Sequence, residues 1–428
     1  MDSMNDLVPP RVWQVVLVAA VVRLVTLLPA LSAAPFSDEI EYHGLAQRLG
    51  AGQGYVTAEG RPTAYRPPLW PLAMSAVYRV TGPSTAAARV TQALLGALLA
   101  GLIVALAATA GLDARRQRWL AAWAVLSPTL LYYSHSLFSE TLFALCLLSA
   151  LRLLISRESA AGAGAWMGLA CLCRGSALVL LALIAVWLAT RRGWRLAAVW
   201  LGVAMLVIAP WTLRNKLVLG DLVPVDTNGA LNFYWGNHER TPLLRPWDLV
   251  DQDDKPWPAA AGSSERAIER AAMAAARAHI AAEPGRFAVG LLTKSSALWG
   301  PERGLASGLS AGLYGPPRRL LALAAAAICA LESWLLLALG GLGLLLGWAR
   351  RTDLGRLTLL AAAGLTVIHA LSYGHSRYRF GLVPLLMVAA CGGWSAAEVS
   401  PSRRRWGFVL VALVTLNLAA QVLLELAR

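Results

Sequence analysis

The chain has 428 residues, of which 57% are hydrophobic and only 14% are charged. Soluble domains usually carry about 25% charged residues, so this composition excludes an ordinary soluble globular protein. A formal net charge of +14 would suggest nucleic-acid binding in a soluble chain. Here many basic residues stand in short turns between apolar segments, where the positive-inside rule places them. We therefore expect membrane lipids as partners and no nucleic acid.

Repeated apolar stretches are long enough to cross a hydrocarbon core of roughly 30 Å as helices. We predict an all-α polytopic membrane protein with about eleven transmembrane helices. Residues 1–428 are interpreted as a single membrane domain. The predicted spans are 12–34, 85–111, 119–133, 138–156, 160–173, 176–190, 196–211, 326–348, 357–373, 380–398 and 407–426.

Arginines cluster at every second junction between the predicted spans, which indicates the cytoplasmic side. The opposite junctions are long or poor in basic residues. This pattern predicts a cytoplasmic N-terminus and a C-terminus outside, and the Arg- and Ala-rich composition favours a bacterial inner membrane. The clusters are Arg115, Arg116 and Arg118; Arg157; Arg191, Arg192 and Arg195; Arg350, Arg351 and Arg356; and Arg403, Arg404 and Arg405.

Two polar segments then lie outside, at residues 35–84 and 212–325. Each contains a predicted interfacial helix, at 38–49 and 264–282. Large outer loops between short inner turns place function on the outer face. The chain contains no G-x-G-x-x-G, P-loop or H-E-x-x-H pattern, which disfavours a soluble nucleotide-sugar transferase or an ATP-driven machine.

The first outer segment opens with an acid pair, Asp38 and Glu39, directly after the first predicted span. A carboxylate at this boundary would meet both a lipid-borne and a water-borne substrate. Acids in a first helical turn could also simply complement the helix dipole. Glu39 shares a helix face with His43, so a divalent metal is conceivable there, although none is predicted.

The same segment continues with Tyr42 and then with residues 65–71, Tyr-Arg-Pro-Pro-Leu-Trp-Pro. Arg66 precedes two prolines, which favours extended backbone. Tyr65 suits a membrane interface. The stretch is either a surface turn or a place where Arg66 meets a phosphate or sugar.

Three further groups of candidate residues stand at helix ends or in the second segment. Glu140 begins a predicted span, and an ionisable residue there is costly and a functional candidate, with helix capping as the alternative. Arg174, between two short apolar segments, would contact phosphate or pair with an acid such as Glu140. Asn237 and His238 fit sugar recognition or an ordinary polar loop.

At the last outer junction stand His375, Arg377, Tyr378 and Arg379. Arginines on this side oppose the positive-inside trend. They either snorkel to outer headgroups or fork a phosphate bidentately.

The order of these features resembles family 39 of the GT-C glycosyltransferases, which includes the protein O-mannosyltransferases and the lipid A aminoarabinose transferases. The resemblance spans nearly the whole chain. The chain shows no appended soluble domain of the kind some members use for their acceptor, which leaves the acceptor open. The matching stretches are the acid pair at 38–39, G-x-G-Y at 52–55, Y-R-P-P-L-W-P at 65–71, S-E-T-L-F at 139–143, P-W-T-L-R-N at 210–215 and R-Y-R-F-x-L-x-P at 377–384.

This resemblance implies a GT-C-type helical bundle, a polyprenyl-phosphate sugar donor and an inverting transfer to a lipid, glycan or protein acceptor on the outer face. It also implies that Asp38 and Glu39 are catalytic, without a required cofactor. We expect Asp38 to be the base, with Glu39 positioning the acceptor or sharing that role. Arg66, Arg174, Arg377 and Arg379 are expected to hold the phosphate. The alternative is a transporter or lipid-linked-sugar flippase, which should show two pseudo-repeated halves.

Overall fold

The computed structural model describes residues 8–249, 256–258, 264–392 and 401–426. Within these ranges the chain is helical, and its extended pairing is a single bridge between Val56 and Pro62. The helices are α1 (Val12–Leu27), α2 (Asp38–Gly50), α3 (Leu69–Thr81), α4 (Thr85–Thr109), α5 (Ala114–Leu126), α6 (Pro128–His135), α7 (Glu140–Ser156), α8 (Ala160–Cys173), α9 (Ala177–Arg191), α10 (Trp194–Leu219), α11 (Asn228–Gly236), α12 (Glu265–Ala282), α13 (Pro284–Leu298), α14 (Gly304–Ser310), α15 (Arg319–Gly343), α16 (Ala349–Arg351), α17 (Asp353–Leu371), α18 (Val383–Gly392) and α19 (Pro401–Leu426).

Six helical segments in the described part of the chain are long and apolar enough to cross a membrane. A seventh is counted if α6 and α7, which meet at a bend of 115°, form one broken span. Helices α8 and α9 are apolar but shorter. The expected integral membrane protein is therefore confirmed, whereas the count of about eleven spans stays a prediction. The six are Val12–Ala30, Thr85–Thr109, Trp194–Leu219, Arg319–Arg351, Asp353–Leu371 and Pro401–Leu424.

One predicted span, 119–133, is wrong as a single helix. The structure breaks it between α5 and α6, because Pro128 has no N–H to continue the helical ladder. Ser127 caps the new helix, and its side chain accepts a hydrogen bond from the Leu130 N–H at 3.1 Å. The structure describes the predicted span 380–398 as far as residue 392. These residues form the end of a 3-10 turn at Ser376–Leu382 and then α18. Residues 393–398 lie outside the described residues.

Close packing between the apolar helices depends on small residues. Gly164 and Gly168 stand one turn apart on α8 and face α10, where an added Cβ would lie 2.4 Å from the Trp200 carbonyl oxygen and 2.8 Å from that of Ala204. Lipid tails are as apolar as the helices, so the hydrophobic effect does not drive helices together within a bilayer. Van der Waals packing at such close backbone contacts is therefore a main source of attraction. α4 is the most enclosed of the long helices, whereas less than a quarter of the apolar stretch in each of α1, α10 and α19 is buried, as is typical of lipid-facing helices.

The two segments expected outside pack against each other. Both predicted interfacial helices are present, as α2 and α12. Glu265, at the start of α12, accepts a hydrogen bond from the Ala64 N–H at 2.9 Å and another from the Thr63 hydroxyl. Farther along, the Thr227 N–H donates to the Ala64 carbonyl at 3.1 Å. These bonds hold the start of α11 beside the stretch that carries Tyr65 and Arg66.

Candidate active site

A cavity of about 1400 Å³ lies between the two outer segments and the ends of the long helices. One end is polar and contains Asp38, Arg66 and Arg377. Another part of the lining is apolar and comes from α15, with Ala322, Ala326 and Ala330 on one face of that helix. A cavity that joins a charged end to an apolar wall suits an amphipathic ligand.

The backbone is strained where the chain enters α2. Ser37 has a φ of +52°, which is uncommon for a residue with a side chain. Its side chain makes no capping hydrogen bond, although the sequence suggests a capping serine. Such strain persists only where the surroundings impose it, and it often marks functional positions. Here the turn places Asp38 in the cavity.

Asp38 lies between two arginines from distant parts of the chain. Arg66 Nη2 lies 2.6 Å from Asp38 Oδ1, and Arg377 Nη1 lies 2.7 Å from Asp38 Oδ2. Burial disfavours the ionised carboxyl, but the charges of Arg66 and Arg377 and their hydrogen bonds outweigh it and hold the pKa of Asp38 below its ordinary value. The Asp38 side chain keeps 29% of its surface exposed, so a ligand can reach it.

The ion pairs continue on both sides of Asp38. Arg66 Nε donates to Glu41 Oε2 at 2.5 Å. Arg377 also donates to Glu140, whose Oε1 accepts from Arg174 Nη1 at 2.7 Å. The result is a row of three acids and three arginines in alternation, in which Glu140 is almost fully buried. Arg174 thus takes the structural pairing that the sequence left open.

Glu39 has a different position from its neighbour Asp38. Its side chain has no exposed surface, forms an ion pair with Arg89 at 2.9 Å and accepts a hydrogen bond from the Leu137 N–H at 2.8 Å. It does not line the cavity. His43, the suggested metal partner of Glu39, instead bonds the Tyr78 hydroxyl at 2.8 Å. Asp38 and Glu39 therefore lie in different surroundings. The described residues contain no group of three His, Cys, Asp or Glu that could hold a metal ion.

Four predicted aromatic and histidine side chains lie around this row. Tyr65, His375 and Tyr378 line the cavity, whereas Tyr42 is buried beneath Arg66, whose guanidinium carbon lies 5.5 Å from its ring centre. His375 accepts a hydrogen bond from the Arg377 N–H at 3.0 Å. Burial, with the nearby positive charge of Arg303, lowers the pKa of His375 to about 3, so this side chain is neutral at physiological pH.

Three predicted substrate residues lie away from the large cavity. Arg379 is buried and donates to the Leu298 carbonyl at 2.7 Å and to Ser333 Oγ at 3.2 Å. Asn237 donates to the Leu371 carbonyl at 2.9 Å, and His238 lies beside it at a separate small pocket. Arg377 and Tyr378 line the cavity and Arg379 does not, because successive side chains of the 3-10 turn that carries them point in different directions.

Several cavity residues were missed in the sequence. Arg303 lies over Trp247, with its guanidinium carbon 4.1 Å from the ring centre. Arg318 and Arg319 are exposed at the start of α15 and form no ion pair with any described residue. They stand on the predicted outer side, where arginines oppose the positive-inside trend. The signal that singled out Arg377 would therefore have found them as well.

Comparison with solved structures gives distant matches. The crystal structure of ArnT from Cupriavidus metallidurans bound to undecaprenyl phosphate aligns with 89% of this chain and 77% of that chain, at 18% identity and a TM-score of 0.39. Its apo form aligns over the same shares at 17% identity and a TM-score of 0.41. No protein-family model and no curated protein sequence matches the chain.

A third solved structure shows a shared fold. The Archaeoglobus fulgidus oligosaccharyltransferase, tethered with an acceptor peptide containing the NVT sequon, aligns with 96% of this chain at 14% identity and a TM-score of 0.51. The alignment covers 54% of the archaeal chain, so this chain spans about half its length. The likeness confirms the GT-C-type helical bundle that the sequence motifs imply.

Proposed function

We propose that this chain is a glycosyltransferase that moves a sugar from a polyprenyl-phosphate-linked donor to a lipid, glycan or protein acceptor. The transfer would be inverting, with Asp38 as the base, on the non-cytoplasmic face of a bacterial inner membrane. The proposal extends the fold, which is shared with a glycosyltransferase, to a specific chemistry.

The observation that carries the proposal is the set of residues that line the large cavity described above. A polyprenyl-phosphate sugar needs an apolar wall for its chain, cations for its phosphate and a carboxylate near its anomeric carbon. The cavity supplies these as the alanine face of α15, as Arg66, Arg303 and Arg377, and as Asp38. Arg318 and Arg319 at the edge of the apolar wall add positive charge where an anionic headgroup would enter.

The proposed reaction is a single displacement. Asp38 removes the proton from the acceptor hydroxyl as its oxygen attacks the anomeric carbon from the face opposite the phosphate. The bond between that carbon and the phosphate oxygen breaks, and the phosphate leaves with the bonding electron pair. Because a lipid phosphate is a stable anion, arginines suffice to stabilise it, and neither a general acid nor a metal or other cofactor is required.

The ion pairs of Asp38 suggest how the base is activated. Two arginines hold its pKa low, which makes the resting carboxylate a weak base. A donor phosphate would compete for the same guanidinium groups. Once Arg377 turns toward the phosphate, Asp38 loses a cation, its pKa rises, and it becomes a better proton acceptor. Donor binding would thus precede and enable deprotonation of the acceptor.

The test is transfer by the purified chain in nanodiscs, supplied with a panel of radiolabelled undecaprenyl-phosphate sugars and a bacterial envelope extract as acceptor source. Labelled product that depends on the chain is expected. The Arg318→Ala/Arg319→Ala variant should bind donor more weakly, and more so at low ionic strength, where surface charge acts over a longer range. If proteoliposomes containing the chain move intact donor between leaflets and form no transfer product, the transporter alternative holds instead.

A further inference from the structure

The outer helix α11 turns one side toward the cavity, and that side carries two amide side chains. Asn228 and Asn232 both line the cavity, and Trp235 closes it one turn farther on. Residues four apart on a helix stand about 5–6 Å from each other at Cβ, a span comparable to the width of a sugar ring. The helix itself, Asn228–Gly236, contains no charged residue.

The hydrogen-bonding capacity of these amides is largely unused. Asn228 Oδ1 is buried and has no hydrogen-bond partner among the described residues. The Asn232 side chain makes no hydrogen bond within the described part of the chain. A buried amide oxygen without a donor costs free energy, and rotation of the amide would present either its oxygen or its NH₂ to the cavity. An amide offers both a donor and an acceptor, which is what a hydroxyl group needs.

This face is fixed close to the catalytic carboxylate. The Thr227 N–H bonds the Ala64 carbonyl at 3.1 Å, one residue before Asn228 and one before Tyr65. Tyr65 packs against the apolar side of α11 and lines the cavity. Arg66, the next residue, pairs with Asp38 at 2.6 Å. A ring held by the two amides therefore lies within reach of Asp38, on the α11 side rather than at the alanine wall.

We infer that Asn228 and Asn232 form a subsite for an uncharged, hydroxyl-rich sugar ring and so determine sugar specificity. This inference rests on the proposed function, and the ring belongs either to the donor or to a glycan acceptor. In both cases the amides form hydrogen bonds with ring hydroxyls, and the aromatic side chains of Trp235 and Tyr65 flank the sugar ring. The uncharged character of α11 selects against sugars whose recognition depends on a buried ion pair.

The experiment measures binding to the full chain in nanodiscs for wild type, Asn228→Ala, Asn232→Ala and the control Gln47→Ala, which removes an exposed amide on α2. The probes are undecaprenyl phosphate, undecaprenyl-phosphate glucose, and maltotriose added to protein saturated with undecaprenyl phosphate. Loss of one neutral hydrogen bond should weaken binding about three- to tenfold. Weaker binding of the glucose-linked lipid alone assigns the subsite to the donor sugar, and weaker binding of maltotriose alone assigns it to the acceptor.

Either of these results, with Gln47→Ala unchanged, supports the subsite. Wild-type affinity of both asparagine variants for all three probes overturns it. An equal loss of affinity for the sugar-free and the glucose-linked lipid also overturns it, because that pattern indicates a structural role. If wild-type protein binds neither lipid, the proposed function fails and this inference fails with it, a result distinct from the other two.

Discussion

Asp38 and Arg377 stand at opposite ends of the chain, yet Arg377 Nη1 lies 2.7 Å from Asp38 Oδ2. The first follows α1, and the second precedes α18. Arg377 also bonds Glu140, at the start of α7. One guanidinium thus joins the beginning, the middle and the end of the fold at the polar end of the cavity. A substrate phosphate that draws Arg377 away would act on both acids at once.

Asp38→Asn should reduce transfer by about a hundredfold to ten-thousandfold, the usual contribution of a general base. It should not weaken donor binding, because the Asp38 carboxylate competes with the phosphate for Arg66 and Arg377. The amide keeps the volume of the carboxyl but cannot take up a proton. The matched control is Glu41→Gln, which alters an exposed carboxyl on the other side of Arg66. Initial rates and donor affinity are measured for both. Substantial turnover by Asp38→Asn would move the base to another carboxyl, with Glu140 examined next.

Glu39→Gln should act on stability rather than on chemistry. Its carboxylate and Arg89 have no exposed surface, and removal of one member of such a pair leaves an uncompensated buried charge, at a cost of about 3–5 kcal/mol. We expect a lower apparent melting temperature in detergent and partial recovery in the double variant Glu39→Gln/Arg89→Gln. A variant that melts as wild type does but has lost turnover would restore the catalytic role that the family resemblance implies for Glu39.

Asp38 and Glu39 lie in different surroundings, and this difference could not be predicted from the sequence. The sequence places both acids correctly at the start of α2, since composition and the end of an apolar stretch suffice for that. It cannot tell which one faces the cavity, because that depends on Arg89 in α4 and Arg377 near α18, partners set by tertiary packing. The break at Pro128 follows from proline chemistry, but the apolar residues on both sides of it favour a single span.

Arginine positions show the same limit. Arg377 and Arg379 are equivalent in the sequence, and both were expected to bind phosphate. Only the 3-10 geometry of Ser376–Leu382 separates them, since it turns Arg377 to the cavity and Arg379 to the carbonyl of Leu298. Asn228 gave no signal beyond its place in a turn-like stretch, because its significance lies in an amide that the fold leaves without a partner.

Arg377→Ala and Arg379→Ala should therefore have different effects. A charge-assisted hydrogen bond contributes about 1.5–3 kcal/mol, so Arg377→Ala should weaken binding of an undecaprenyl-phosphate sugar by roughly tenfold to a hundredfold. Lys at position 377 should restore only part of the affinity, because it lacks the planar fork. Arg379→Ala should lower the melting temperature and leave the donor affinity of the folded fraction unchanged. Equal donor affinity of wild type and Arg377→Ala would move the phosphate site to Arg66 or Arg303.

The predicted orientation can be tested by cysteine labelling in whole cells, in a background whose five native cysteines are replaced by alanine. A membrane-impermeant maleimide should label Glu239→Cys, in the second outer segment, and should not label Arg116→Cys, Arg192→Cys or Arg404→Cys until the cells are permeabilised. The expectation follows from the arginine clusters. Labelling of Arg192→Cys from outside would contradict this topology, because it would place the second segment on the opposite side of the membrane from the first segment, against which it packs.

Asp226 should make the stability of the protein depend on pH near neutrality. Its Oδ1 accepts a hydrogen bond from the Asn228 N–H at 3.1 Å, and its Oδ2 lies so close to Gly175 that an added Cβ would be 2.2 Å away. Burial raises the pKa of Asp226 to about 6. Between its ordinary value and 6 the folded state therefore binds more protons than the unfolded state, so stability falls as pH rises through this window.

Asp226→Asn mimics the protonated form, and it should melt at a higher temperature than wild type at pH 7.5 but not at pH 4. Asp221→Asn, in the same loop, is the control and should follow wild type at both pH values. A lower melting temperature for Asp226→Asn at pH 7.5 would show that the ionised carboxylate has a cationic partner in the folded protein, contrary to the geometry described here.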